Sequence, residues 1–234
     1  MKKEIIYDGG EYRIFATDDP DKVIIHFKDI ATAYGGIKRA TVKDKGKYCN
    51  KITAVLYAAL EKAGIPTRFL ATEEDEREQL CLRAESIPLH IIVRNRLAGS
   101  TAELLGVENG TEITNTVFEL RYVSQELSDP MINRHHAVAL GIVSYDEVDT
   151  ILDIASRTND TLKALFAKAG IELVDFKMEC GRTGDGRIII NGGISPDNAR
   201  LWEIGTGRVL DKDRFRHDLS EVAASYKEVM EKIS

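Results

Sequence analysis

The hydrophobic rhythm of the chain changes along its length. Residues 4–7 and 12–16 are short runs of β-branched and aromatic residues on either side of Asp8-Gly9-Gly10, the composition of two strands around a turn. Residues 23–27 form a third such run, after the turn signal Asp18-Asp19-Pro20-Asp21. The rhythm then lengthens. Ile52, Val55, Leu56, Ala59 and Leu60 fall at i, i+3, i+4, i+7 and i+8, which predicts a helix over residues 48–63 with one apolar face, ended by Gly64-Ile65-Pro66. A strand is expected near residues 67–70. Residues 89–93 are almost continuously apolar and predict a strand buried on both faces, whose C-terminal end delivers Arg94-Asn95-Arg96-Leu97-Ala98-Gly99-Ser100.

The second half mixes the two periods. A short helix is expected over residues 101–105, ended by Gly106, and a strand over 117–122. Residues 145–169 read as the longest helix, with Val148, Ile151, Leu152, Ala155, Leu162, Leu165 and Phe166 facing inward and Gly170 as the C-terminal cap. Residues 173–178 and 187–190 predict a hairpin around Thr183-Gly184-Asp185-Gly186, and 213–233 a C-terminal helix. Strands first and then mixed strands and helices favour an α+β fold of two lobes with a cleft between them. The chain opens with the antiparallel sheet.

Composition narrows the classes. Of 234 residues 43% are hydrophobic, enough to bury a sizeable core in one large domain or two small lobes. A net charge of −6 argues against a general nucleic-acid binder but leaves room for a local basic pocket. The three cysteines, Cys49, Cys81 and Cys180, have no metal-ligand or disulfide spacing, which fits a reducing cytoplasm. The first ten residues are too polar for a signal peptide, and no apolar run approaches the roughly 18–20 residues that cross a bilayer.

Candidate chemistry lies in a few places. Arg94, Arg96 and Ser100 offer planar donor forks and a hydroxyl, with Gly99 allowing close backbone approach; the pattern suits an anion site and equally a surface turn. Asp175, Lys177 and Glu179 alternate along one predicted strand and so share a face, which suits a metal–phosphate site and equally the solvated face of an edge strand. Asp129-Pro130 and Asn133 form a turn before Arg134-His135-His136, whose adjacent histidines cannot both reach one ion from a regular strand. His26, His90 and His217 read as ordinary strand or helix residues, and Arg200 as a second anion clamp.

These pieces, taken in order, resemble the phosphoribosylaminoimidazole-succinocarboxamide synthase (SAICAR synthetase) family over nearly the whole chain. The carriers are Ala63-Gly64-Ile65-Pro66-Thr67, Val93 through Ser100, Asp129-Pro130-Met131-Ile132-Asn133, Leu173-Val174-Asp175-Phe176-Lys177-Met178-Glu179, Ile194-Ser195-Pro196-Asp197, Arg200-Leu201-Trp202 and Asp211-Lys212-Asp213-Arg214-Phe215-Arg216. The resemblance implies a small antiparallel-sheet lobe over residues 1–84, a larger α/β lobe over 85–234 and a kinase-like ATP cleft between them, and a ligase that joins L-aspartate to carboxyaminoimidazole ribotide, with ATP and Mg²⁺, in a cytoplasmic homodimer with no nucleic-acid or membrane partner. It implies that Arg94, Ser100, Arg200 and Lys212 hold the ribotide, that Asp129 lies beside the imidazole and aspartate site, and that Lys177 and Glu179 face the nucleotide phosphates. Gly10 and Arg13 would lie in the ATP turn, Arg83 and Glu85 at the adenine side, and Glu179 with Asn191 at the metal.

The departures from the family pattern cluster. The glycine-rich turn usually reads Gly-Lys-Ala-Lys, and here it is Gly10-Glu11-Tyr12-Arg13, where Arg13 is a candidate to compensate for the lost lysine. Ile30 stands where an acidic residue is usual, Cys49 where an asparagine is, and Gly192-Gly193 where an Asp-Glu pair precedes Ser-Pro-Asp. These positions belong to the ATP and metal side. The alternative to the ligase is therefore a divergent paralogue that keeps a phosphoribosyl-imidazole-like ligand with altered or lost ATP chemistry.

Overall fold

The structure is a computed structural model and describes residues 2–234. The opening runs become β1 (Lys2–Asp8), β2 (Tyr12–Thr17) and β3 (Lys22–Phe27). A small hairpin follows, β4 (Ile30–Ala33) and β5 (Lys38–Thr41), then helix α1 (Lys45–Lys62), β6 (Phe69–Thr72) and β7 (Glu78–Leu82). The first sheet is antiparallel, in the order β1-β2-β3-β7-β6.

Two unstructured residues separate β7 from β8 (Glu85–Leu97), which opens the second sheet. The chain continues through α2 (Ser100–Leu105), β9 (Thr111–Tyr122), β10 (Met131–Ile132), α3 (Arg134–Ala139) and α4 (Tyr145–Lys168). It ends with β11 (Ile171–Arg182), β12 (Ile188–Ile190), β13 (Ala199–Glu203), α5 (Asp213–Arg216) and α6 (Val222–Ile233). The second sheet runs β10-β9-β8-β11-β12, with β13 also on β11, and all its pairings are antiparallel. The expectation of an α+β fold of two lobes holds.

The main core lies between this sheet and the helices. Leu89, Ile91 and Val93 of β8 and Phe176 and Met178 of β11 pack with Leu56 of α1 and Ile151 and Phe166 of α4. A second cluster, under the first sheet, joins Val23, Ile25 and Phe27 to Cys49 and to Tyr226 of α6. Helix α6 thus returns from the end of the chain to finish the first lobe. The three cysteines are buried thiols, and burial pushes Cys81 up to about 11 and Cys180 up to about 12. Among the described residues no helix is long and apolar enough to cross a membrane.

Three local expectations are corrected. Strand β8 is not buried on both faces: its odd positions enter the core, while Ser86, Pro88, His90, Ile92 and Arg94 line a cleft. The C-terminal helix is broken in two, with Asp218 and Glu221 at positive φ between α5 and α6. Asn133, read as part of a turn, is an N-cap: His135 and His136 donate their backbone N–H groups to its side chain and open α3.

Candidate active site

A cleft of about 1120 Å³ opens between the lobes, walled by Gly10, Glu11, Tyr12 and the β4–β5 hairpin on one side. On the other side stand β8, β11, the 192–200 segment and the start of α5. Its two ends differ in chemistry.

One end is built from arginines held by carboxylates. Arg94 is only 3% exposed. Its Nε and Nη2 donate to Glu119 at 2.5 and 3.1 Å, and Nη1 donates to Asp175 at 2.9 Å. Asp175 also accepts from Arg200 Nη1 at 2.8 Å, and Arg200 Nε donates to Asp213 at 2.8 Å. Arg216 donates to the other oxygen of Asp213. The result is an alternating row of cations and anions that fixes the guanidinium planes before any ligand arrives. Arg200 presents its Nη2 toward Gly99, where a Cβ would lie 2.2 Å from that nitrogen; Gly99 has φ +59°, so glycine is required there on both counts. Ser100 lines the same wall at the start of α2. Arg94 stays in the cleft lining: three of its five N–H donors go to Glu119 and Asp175, so it organises Asp175 and Arg200, and its other two N–H groups take no part in that row. Arg96 turns away to Glu172 and Glu112.

The row rests on Asp211, fully buried, which accepts from Leu201 N and Asp213 N, each at 2.7 Å. Burial first, and the neighbouring Asp213 charge second, push its carboxyl up to about 7.

The other end centres on β11 and β8. The same-face reading of Asp175, Lys177 and Glu179 holds, and all three line the cleft. Glu179 lies directly across the ladder from His90. Lys177 Nζ is 2.8 Å from Glu179 Oε1 and 3.4 Å from His90 Nε2, and His90 Nε2 is 3.3 Å from Glu179 Oε1. Burial would raise the Glu179 carboxyl, but Lys177 and then His90 hold it well below the usual carboxylate range. His90 Nδ1 faces Asp129 Oδ2 at 3.8 Å. Ser128 and Asp129 both have positive φ, a strained pair that turns Asp129 into the cleft while Ser124 N donates to it at 2.8 Å.

His90 was the residue missed by sequence reading. Its signal was the single polar residue in an apolar run, at a position of the alternation that points away from the core. Lys28 was missed too: it donates to Asp8 and, at 2.6 Å, to Gly9 O, stapling the glycine turn. Glu11 in that turn accepts from Lys212 across the cleft. Deeper still, Lys45 pairs with Asp197, whose other oxygen accepts from Tyr226 Oη at 2.9 Å.

Three further expectations at this end are corrected. Arg13 lies between the cleft-lining Tyr12 and Ile14, so strand alternation sends it to the opposite face, where it pairs with Asp8 at 3.1 Å. Arg83 and Glu85 are exposed and do not line the cleft; Ser86, Ile87, Pro88 and Leu89 do. Asn191 has both ends of its amide engaged, accepting from Arg68 at 2.8 Å and donating to Ser86 at 2.9 Å, so it presents no oxygen to an ion.

A magnesium ion needs oxygen donors that converge, and among the described residues no three side chains of the cleft do so. Among the described residues the one trio of side chains close enough to share an ion is His26, Asp75 and Glu78, outside the cleft lining, where Glu78 is already paired with Lys2 and His26.

A two-lobed α+β fold whose cleft carries a lysine cluster at one end and ordered arginines at the other defines a protein that handles phosphorylated, anionic small molecules. The sequence profile of the SAICAR synthetase family matches residues 5–233, and the chain belongs to that family. A phosphoribosylaminoimidazole-succinocarboxamide synthase of Clostridium botulinum (strain Alaska E43 / Type E3) is 49% identical over 233 residues, covering 100% of this chain and 99% of its own length. The crystal structure of the Ehrlichia chaffeensis synthase aligns with a TM-score of 0.96 at 37% identity over 98% of each chain. A SAICAR synthetase in complex with ADP aligns with a TM-score of 0.95 at 40% identity, over 99% of this chain and 97% of that one.

Proposed function

We propose that this protein is an ATP-dependent ligase that joins L-aspartate to carboxyaminoimidazole ribotide through a C–N bond, giving SAICAR, ADP and phosphate. The observation that carries the reading is full-length membership of the family together with a cleft that keeps a phosphate-type lysine, Lys177, at one end and ordered arginines at the other. A carboxylate is a poor electrophile, so the ribotide carboxylate first attacks the terminal phosphoryl group of ATP to form an acyl phosphate. Lys177 is placed to spread the charge of that transfer. The aspartate amine then attacks the acyl carbon, phosphate leaves, and the amide remains.

In this reading Arg200 Nη2, Arg216 and Ser100 grip the ribotide phosphate, Arg94 fixes their frame, and Asp129 with His90 borders the aspartate site. Gly10 lies under the nucleotide phosphates and residues 86–89 border the adenine. Magnesium enters as the ion that accompanies ATP. We further propose a cytoplasmic location and a homodimer, as the family resemblance implies, and units 1–84 and 85–234, with α6 of the second unit packed into the core of the first.

A second reading, ligand binding without turnover, is favoured by Glu11, a carboxylate in the nucleotide turn that ties up Lys212. The test is incubation with carboxyaminoimidazole ribotide, aspartate and MgATP, following ADP and the succinyl amide. The ligase reading expects both products in equal amounts. Ribotide binding in calorimetry without either product would establish the second reading instead.

A further inference from the structure

Five carboxylates line the cleft among the described residues: Glu11, Asp129, Asp175, Glu179 and Asp197. Four are already matched by their own cation. Glu11 has Lys212, Asp175 has Arg94 and Arg200, Glu179 has Lys177, and Asp197 has Lys45. The fifth, Asp129, is separated from Glu179 by the His90 imidazole, which contacts both. Among the described residues no three His, Cys, Asp or Glu side chains of the cleft come close enough together to share an ion.

Other oxygens are also turned away. Beside Glu179 the chain runs Asn191-Gly192-Gly193, where the glycines supply no side chain. The carbonyl of Gly192 accepts from Tyr57 Oη, and that of Gly193 accepts from Asn198 Nδ2 at 2.5 Å. The carbonyl of Ile194 accepts from Thr53 Oγ1 at 3.0 Å. A divalent ion of magnesium's size takes near-octahedral oxygen ligands and usually one or two carboxylates. Here Lys177 and His90 both take Glu179 Oε1, and an ion on the remaining oxygen would sit beside that ammonium, which like-charge repulsion opposes.

We propose that this cleft holds its nucleotide through side-chain cations, with Lys177 clamped by Glu179 and His90 in the place of a protein-bound divalent ion, so that magnesium comes and goes only as the nucleotide's own chelate. The proposal rests on the nucleotide-binding part of the function above. The depressed Glu179 carboxyl agrees with it: that group stays ionised as the partner of Lys177. Gly192 is what keeps the arrangement. A Cβ there would lie 3.0 Å from Glu179 Oε2, so an aspartate at this position would set a second carboxylate against the first. Such a pair is relieved by a cation.

Three titrations test it. Calorimetry with ADP is run once in excess Mg²⁺ and once in EDTA, and the expected dissociation constants agree to within about threefold. Mn²⁺ is titrated into the nucleotide-free protein and followed by electron paramagnetic resonance; no bound ion is expected up to about 1 mM. Gly192→Asp is expected to bind Mn²⁺ without nucleotide, and its ADP affinity to become dependent on the metal. A loss of more than about tenfold in ADP affinity in EDTA overturns the proposal, as does Mn²⁺ binding by the native chain that Glu179→Gln removes. A folded Gly192→Asp that takes up no Mn²⁺ also counts against it, because the missing carboxylate would then not be what excludes the ion. If that variant does not fold, the two native titrations decide. Absence of ADP binding in both buffers would sink the nucleotide reading itself, and the nucleotide-free Mn²⁺ titration keeps that failure distinct.

Discussion

The two ends of the cleft are both rich in paired charges, yet they are built to opposite plans. At the arginine end every carboxylate touches more than one donor. Asp175 is shared by Arg94 and Arg200, and Asp213 by Arg200 and Arg216. The row is braced by a backbone-bound aspartate, Asp211, behind it. Shared ions of this kind fix geometry, because moving one member unpairs its neighbours. At the lysine end each carboxylate has one ammonium of its own, Lys177 for Glu179 and Lys212 for Glu11, with the His90 imidazole beside the first pair. An ammonium on a flexible stem can exchange partners when a phosphate enters. The first end is organised to recognise, the second to yield.

The lysine end should give the largest effect. Lys177→Met removes the ammonium proposed to face the transferred phosphoryl and leaves Glu179 with His90 alone. The expected loss is about 10³-fold in kcat with the fold retained, measured by ADP release and by circular dichroism. A loss confined to KM would mean that Lys177 only binds and does not act on the transition state.

Arg200→Gln probes the arginine end. Asp175 keeps Arg94 and Asp213 keeps Arg216, so the row survives while the Nη2 donor is lost. One charge-assisted hydrogen bond corresponds to about tenfold to a hundredfold in ribotide KM, with little change in kcat. An equal fall in kcat would place Arg200 among the groups that act at the transition state, and the contrast between the two ends would fail.

The periods of the chain explain what could be read in advance. Asp175, Lys177 and Glu179 were legible because a two-residue alternation fixes a face whatever the strand pairs with. Arg13 was misread for want of the same rule: once Tyr12 and Ile14 face the cleft, Arg13 cannot. His90 escaped because the rest of residues 89–93 is apolar, and Ile92 at the rim of the cleft reads like a core residue. The engagement of Arg94 and Asn191 depends on Glu119 and Arg68, which are distant in sequence and carry no local signal. The break before α6 rests on two residues, Asp218 and Glu221, at positive φ, where helical patterning alone runs straight on.

A smaller and pH-dependent effect belongs to Asp211. In the folded chain its carboxyl is pushed up to about 7, against an ordinary value of 3.8. The folded state therefore holds a proton that the unfolded chain has lost. By linkage, stability falls as pH rises between these two values and levels off above them. Urea denaturation at pH 5 and pH 8 should show the native protein less stable at pH 8 from this group. Asp211→Asn should flatten that part of the slope, whatever it does to absolute stability. An unchanged slope in the variant would assign the pH dependence to other groups.

The smallest effect tests the exchangeable plan most directly. Glu11 is held in the turn by its own backbone, whose carbonyl accepts from Lys28 N at 2.8 Å, so neutralising its side chain leaves the turn in place. Its carboxylate is partly exposed, and a pair of that kind contributes about 0–1 kcal/mol. Glu11→Gln is expected to tighten ADP binding about two- to fivefold at low salt, and the gain should vanish at high ionic strength. Two causes are possible, relief of repulsion from the phosphates and release of Lys212 toward them, and a double-mutant cycle separates them. If Lys212 is the agent, Glu11→Gln is silent in a Lys212→Met background; if repulsion is, the gain persists there. Unchanged ADP binding at low salt would show that the Glu11–Lys212 pair stays shut when nucleotide binds, and the lysine end would then be as fixed as the arginine end.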